Sequence, residues 1–403
     1  MKRKSVVWGI FGLLVQASSA GEWPTFLGPN QNGVVEDAKW NPTFPKDGPK
    51  ILWRARVGTG FSAISVSDGR ALVAGNKEGE DTLYCFNAET GKEIWRLSYP
   101  CPILDRNHEG GPAAAVTIDG DRIYHLSRQG EIRCIEAESG SVVWEKNLPE
   151  EYEIPFPNYA FSATPLIEGT WVIVDVGTVF ALNKINGEVV WKSEPYMAGY
   201  GSPIAFTVKD QRILAVLNAP GLTLFDMKTG ATLSQREWHT YDNCNTTTPI
   251  LVGKDQIFIS TGYNRGCALF DVSDPTEIRT VYENENMNNH FANSVSVDGW
   301  LYGFDGQMHK GVVPLKCLKV ETGEEVWSTD RVFNGALIAA NGTMIILTEN
   351  GELVTAKISP NAYEEISRAQ VLGRKAWTMP VLAEGKIYCR NAKGDVVCVS
   401  VDK

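Results

Sequence analysis

Apolar residues in this chain fall in short runs separated by polar turns, and the runs recur in a fixed grouping. In residues 83–95 the run Leu83-Tyr84-Cys85-Phe86 leads through Asn87-Ala88-Glu89-Thr90 to Gly91, and a second run carries Trp95 four positions beyond that glycine. Residues 132–144, 180–191 and 315–327 repeat the grouping with Gly140 and Trp144, Gly187 and Trp191, and Gly323 and Trp327. Two apolar runs around a Gly-closed turn predict a β-hairpin, because glycine supplies the positive φ that the turn requires.

The hairpin is half of a longer unit. Runs at 63–66 and 71–74, joined by Asp68-Gly69, precede the hairpin at 83–97, so the unit predicts four short antiparallel strands. A second unit runs through Asp119-Gly120 to the Gly140 hairpin, and a third runs to Gly187. The fourth keeps Gly230 but has Ser234 in place of Trp; the fifth has Asp274-Pro275 at its turn; the sixth ends in Trp327; the seventh is degenerate around Pro360-Asn361. The eighth has only three strands, ending after Cys398. The turns repeat at the roughly 40 to 50 residues expected of a propeller blade. Residues 50–57, around Trp53, match the Trp-bearing strand with no first half before them. Lending that strand to the last unit closes a ring and removes an exposed sheet edge. The expected fold is therefore all-β: an eight-bladed β-propeller of four-stranded antiparallel blades, closed by the N-terminal strand joining the last blade. An open β-solenoid is the alternative. The division expected is a signal peptide over 1–20, an extension over 21–49 packed on the propeller through Trp23, Phe26 and Trp40, and the propeller over 50–403.

A recurring Trp is a packing device, since binding residues have no reason to appear in every unit; each is expected to wedge between neighbouring sheets. Cys85, Cys134 and Cys317 share one repeat position with Ala181 and Leu224, which marks a buried packing site. If Tyr388 faces Cys398 across their hairpin, Cys389 faces Val397 and the two thiols point apart. Cys101, Cys244 and Cys267 are left without an assigned role, and the absence of a Cys-x-x-Cys pair argues against a zinc site.

Composition adds less. The chain has 403 residues, 43% hydrophobic and 21% charged, enough for a large core. Its net charge of -10 argues against nucleic acid or anionic membrane as partner. Lys2, Arg3 and Lys4, an apolar run over 6–15 and Ser18-Ser19-Ala20 read as a cleaved secretory signal, predicting a periplasmic or secreted protein. No Cys follows that run, so no lipid anchor is expected, and no other apolar stretch is long enough to span a bilayer.

The residues 84–95 resemble the repeat of the PQQ-like, or quinoprotein alcohol dehydrogenase-like, eight-bladed propellers. The opening Glu22-Trp23-Pro24-Thr25-Phe26-Leu27-Gly28-Pro29-Asn30 is similar to that of secreted bacterial members. The resemblance implies the propeller fold over nearly the whole chain and two classes of activity. One is oxidation of an alcohol or sugar with pyrroloquinoline quinone (PQQ) and calcium; the other is a non-enzymatic scaffold like the lipoprotein BamB. The Cys-Cys pair that many dehydrogenases carry beside the quinone is absent, and their calcium and catalytic residues find no counterparts here.

Once the repeated positions are set aside as structural, the segments linking one unit to the next remain, and in a propeller these gather at one mouth of the central channel. They contain His108, Glu109, Asn158, Tyr159, Tyr200, Asn245, His290, Asn293 and Trp377, and also His239. Such a ring suits a small polar ligand or an oxygen-coordinated calcium ion; polar loops without a ligand are the alternative. His125 falls inside a strand and His309 in a hairpin loop. The function expected is a ligand-binding or protein-interaction scaffold with a cell-envelope partner. The alternative is a PQQ- and calcium-dependent oxidoreductase with its site at the channel mouth.

Overall fold

Why each unit becomes a blade is visible in its burial. The second and third strands, such as Arg122–Leu126 and Glu131–Glu136, are almost wholly buried on both faces, because a blade on either side covers them. The outer strand Glu93–Pro100 alternates exposed and buried positions, as a half-covered strand does. The computed structural model describes residues 21–37, 39–307 and 310–402; the expected signal sequence and His309 lie outside them.

Eight four-stranded antiparallel sheets form the ring. The last consists of Val381–Ala383, Lys386–Arg390, Asp395–Ser400 and, as its outer strand, Lys50–Arg56. The orphan strand thus closes the ring as expected, with Trp53 opposite Cys398. At the same seam the buried Arg390 of blade 8 donates to the carbonyls of Ser62 (3.1 Å) and Ala74 (2.7 Å) at blade 1.

The repeated Trp and Gly turn out to be partners across blades. The indole of Trp53 packs on Gly91 of the next blade, Trp95 on Gly140, Trp144 on Gly187 and Trp191 on Gly230. Trp53 Nε1 donates to Ala88 O (3.0 Å), Trp95 Nε1 to Ala137 O (2.9 Å) and Trp144 Nε1 to Lys184 O (3.2 Å), each carbonyl lying in the turn that the glycine closes. At Gly91, φ is 67° and a Cβ would come within 2.5 Å of Trp53 Cγ. Glycine is therefore required there twice, for backbone and for space. Where Ser234 replaces Trp, the next turn carries Pro275 instead of Gly, and the Ser234 hydroxyl donates to the Pro275 carbonyl (2.7 Å). The hydrophobic core consequently lies between blades; Leu72, Cys85, Trp95, Ile123 and Ile135 form one such layer.

One regular feature was not legible as a hairpin. In every blade the outer-strand pairing slips by one residue immediately before the Trp position: Cys85 faces Trp95 but Phe86 faces Glu93, leaving Ile94 unpaired. This β-bulge turns the extra residue outward, which explains why Ile94, Val143, Val190, Val281 and Val326 are exposed beside a buried or half-buried aromatic ring.

All eight cysteines are free and buried. Tyr388 faces Cys398 and Cys389 faces Val397, so those two thiols do point apart.

Residues 21–49 do more than lie on the body. Trp23 pairs with Val66 in blade 1's innermost strand, Ser65–Ser67, Ile118 N donates to Pro24 O (2.9 Å), and Val34–Val35 add a parallel strand inside Gly335–Ala340 of blade 7. Asp37 accepts from Gly385 N (2.7 Å). These contacts sit at the turns opposite the blade-to-blade links, so the segment stops the channel from one end. Trp23 and Trp40 are buried as expected, while the half-buried Phe26 reaches the channel interior.

Candidate functional site

With the far end stopped, the channel becomes a blind cup of about 610 Å³ that opens between the links. Phe26 and Leu27 of the N-terminal segment form its floor. Its wall divides into an upper collar of rings and a lower shelf of hydroxyls.

The collar is a chain of ring contacts. Tyr200 meets Tyr159 (centroids 5.9 Å apart), Tyr159 meets His108 (6.1 Å), His108 meets Phe61 edge-on (5.4 Å), and Phe61 stacks on Trp377 (5.7 Å). Trp377 continues to Phe291 (5.3 Å), Phe291 touches His290, His290 meets Tyr263 (5.2 Å) and Tyr263 meets Tyr241 (6.1 Å). Asp242 bridges the remaining gap: its carboxylate accepts from Tyr159 OH (3.0 Å) and from Asn158 Nδ2 (3.1 Å). Burial raises the phenol pKa values of Tyr159, Tyr200 and Tyr263 and pushes the Cys244 thiol in the wall up to about 11. Burial also lowers the pKa of His108; its Nδ1 accepts from Gly110 N (3.0 Å), which puts the proton of the neutral ring on Nε2.

Below the collar, the blades are stitched by side chains at the start of their innermost strands. Ala115 N donates to Thr164 Oγ1 (3.2 Å), Thr164 N to Ser202 Oγ (2.9 Å), Ser202 N to Thr248 Oγ1 (2.9 Å), and Thr248 N to Asn293 Oδ1 (3.3 Å). Thr164, Ser202 and Thr248 are buried yet face the cup.

Of the nine residues singled out in the sequence, the structure brings His108, Tyr159, Tyr200, His290, Asn293 and Trp377 to the cup wall. Asn293 is occupied there by the backbone of Thr248. Glu109 lies outside, in an ion pair with Lys375; burial pushes its carboxyl up, but the hydrogen bond and charge of Lys375, a backbone hydrogen bond and His108 together hold its pKa below the ordinary value. Asn158 is exposed at the rim, between Arg106 and Asp242. Asn245 is fully buried, its amide donating to the carbonyls of Asn218 (2.8 Å) and Trp238 (2.9 Å), and so shapes a link rather than the wall. His239 is exposed beside Glu237, and His125 is buried against Tyr99 OH (2.6 Å). Sequence reasoning missed Phe61 and Tyr263, and it placed Tyr241, Asp242 and Phe291 in the candidate links without singling them out. Phe61 follows the orphan strand in the link that ring closure makes equivalent to the others, and that signal was available.

The cup does not fit the quinone and calcium of the family's dehydrogenases. Asp242 and Lys310 are the charged side chains among the described wall residues, and both Asp242 oxygens are already engaged. A calcium ion needs six or more oxygen ligands, with carboxylates prominent among them, and a polyanionic quinone needs several cations. Among the described residues no group of three His, Cys, Asp or Glu is placed to hold a metal ion.

Comparison with known proteins supplies independent information. Residues 44–106 and 103–307 match the family model described as outer membrane protein assembly factor BamB. The chain is 23% identical over 370 residues to the outer membrane protein assembly factor BamB of Yersinia pestis, covering 86% of this chain and 88% of that protein. It is also 23% identical over 368 residues to the protein so named in Moranella endobia, covering 88% and 80%. Among solved structures, BamB from Moraxella catarrhalis superposes with a TM-score of 0.64 at 18% identity, over 87% of this chain and 99% of that one. Quinohemoprotein alcohol dehydrogenase from Comamonas testosteroni superposes at 0.67 with 13% identity, over 94% and 80%. At these identities the two superpositions speak for the fold alone.

Proposed function

Because the chain belongs to the family of the outer membrane protein assembly factor BamB, among the PQQ-like β-propellers, we propose that it is a protein-interaction scaffold of the cell envelope. Its docking face is the link face. The observation that carries this reading is an arc of exposed apolar side chains on consecutive links: Ile103 (44% exposed), Phe156 (53%), Met197 (59%) and Tyr241 (77%). Large apolar groups held together in water mark a surface that a partner covers. The partner class is a component of outer-membrane protein assembly, as the relatives' name suggests. An export signal over residues 1–20 and a periplasmic location agree with that role and belong to the proposal. An oxidoreductase reading is weaker, because the wall of the cup lacks the charge that its cofactors require.

The test is binding of the purified chain to the host's outer-membrane protein assembly complex by biolayer interferometry. The unsubstituted chain binds, and the Ile103→Asp/Phe156→Asp/Met197→Asp variant, which leaves the cup wall untouched, does not. A folded parent chain that fails to bind, or a variant that binds equally well, refutes the reading.

A further inference from the structure

We propose that the blind cup at the channel mouth binds the end of a neutral saccharide, one or two rings long, between the aromatic collar and the hydroxyl shelf. This site adjoins the docking arc through Tyr241, which belongs to both, but Ile103, Phe156 and Met197 do not line the cup, so the two can be altered independently.

The shelf carries the inference. Thr164, Ser202 and Thr248 come from three consecutive blades, are at least nine-tenths buried (5%, 8% and 3% exposed) and face the cavity. Among the described residues each of these hydroxyls takes part in one hydrogen bond, as acceptor of a neighbouring backbone N–H. A hydroxyl that accepts there keeps its own proton for another partner. Three buried hydroxyls with a proton to donate thus belong to residues lining a cup of about 610 Å³, a volume typical of a small-molecule site.

The rest of the wall selects what those donors meet. A wholly apolar ligand leaves the buried hydroxyl protons unpaired, which is costly. A charged ligand finds no counter-ion at depth: Asp242 is engaged by Tyr159 and Asn158 at the rim, Lys310 is exposed to solvent, and burying an uncompensated charge is prohibitive. An aromatic side chain from a partner protein suits the collar but brings at most one acceptor to the shelf. A neutral sugar satisfies both halves. Its C–H faces pack against rings such as Tyr159 and Tyr200, and its hydroxyl and ring oxygens accept from Thr164, Ser202 and Thr248. The stop formed by Phe26 and Leu27 makes entry one-ended, so the site takes a chain end or a short oligomer rather than the middle of a threaded polymer.

Isothermal titration calorimetry of the full chain with maltose, cellobiose and N,N′-diacetylchitobiose tests this. At least one is expected to bind with Kd between about 10 μM and 1 mM. Thr248→Val removes a shelf donor and should weaken binding about tenfold. Because that hydroxyl also braces the neighbouring blade, Tyr159→Ala, a change in the half-buried collar, serves as a second variant and should also weaken binding about tenfold. Melting curves check that both are folded. Absence of binding by all three sugars at about 10 mM, or binding that neither substitution alters, overturns the proposal. It is also overturned if tetramethylammonium or a tryptophan-containing peptide occupies the cup while the sugars do not. Loss of partner binding in the docking-arc variant leaves sugar affinity unchanged, so the two readings fail separately.

Discussion

The interlock between Trp53 and Gly91 closes the ring, and a double-mutant cycle tests it quantitatively. Gly91→Ala places a Cβ 2.5 Å from Trp53 Cγ and 2.6 Å from Cδ2, in a residue whose φ is 67°. The left-handed backbone costs an alanine about 1 kcal/mol, and overlap with a packed indole costs about 1–3 kcal/mol more. Trp53→Ala removes a ring that is 7% exposed and donates to Ala88 O; truncating a buried Trp costs about 3–5 kcal/mol. Ala88 O keeps a second donor in Tyr388 OH (3.2 Å), so that carbonyl is not orphaned. Trp53→Ala removes the contacts at Cγ and Cδ2 but keeps a Cβ 2.7 Å from the new methyl, so only part of the overlap is relieved, and the double variant should be more stable than additivity predicts by about 1–2 kcal/mol. Gly120→Ala is the control: its φ is 59° with nothing within 4 Å of the new Cβ, so it carries the backbone cost alone. The assay is urea unfolding followed by fluorescence and far-UV circular dichroism, whose transitions must coincide for a single free energy to be assigned. Additivity within about 0.5 kcal/mol, or equal costs for Gly91→Ala and Gly120→Ala, refutes the interlock.

Other outcomes follow from buried titratable groups and thiols. Burial raises the Asp175 carboxyl to about 6, against hydrogen bonds from Gly177 N and Tyr196 OH that act to lower it. The stability this shift contributes is present below pH about 4 and lost as pH rises through about 6. Melting temperature measured against pH should therefore fall less steeply across that window in Asp175→Asn than in the parent. His125 runs the other way: burial, and secondarily Arg133, depress it to about 3. Its contribution is present above pH about 6.5 and lost as pH falls toward 3, and His125→Gln should flatten that acid limb in the same measurement. Every cysteine is free and buried, and burial pushes the thiols of Cys85, Cys101 and Cys267 up to about 12. Native protein should leave a thiol-reactive dye uncoloured over minutes, urea should release all 8 thiols, and reductant should not change the melting temperature; rapid native labelling contradicts the burial.

The sequence alone determined the blade count, the strand order within each blade and the closing role of the strand around Trp53. Those features depend on turn chemistry and apolar alternation within one repeat, and both are local. It also separated structural positions from candidate site positions, since only the links escape the repeat, and His108, Tyr159, Tyr200, His290 and Trp377 were found that way. What the Trp touches could not be read from one copy, because its glycine partner belongs to the next blade. The bulge before each Trp was hidden for a related reason: Ile94 and Val190 look like ordinary strand residues until the register shows that they have no partner opposite. Only the tertiary structure decided that Asn245 turns into a link while Tyr241 and Asp242 face the opening, that Phe26 and Leu27 make the channel a cup, and that Thr164, Ser202 and Thr248 share one shelf. Each of those depends on which side chains from distant links and separate blades meet when the ring closes, and no local pattern encodes that meeting.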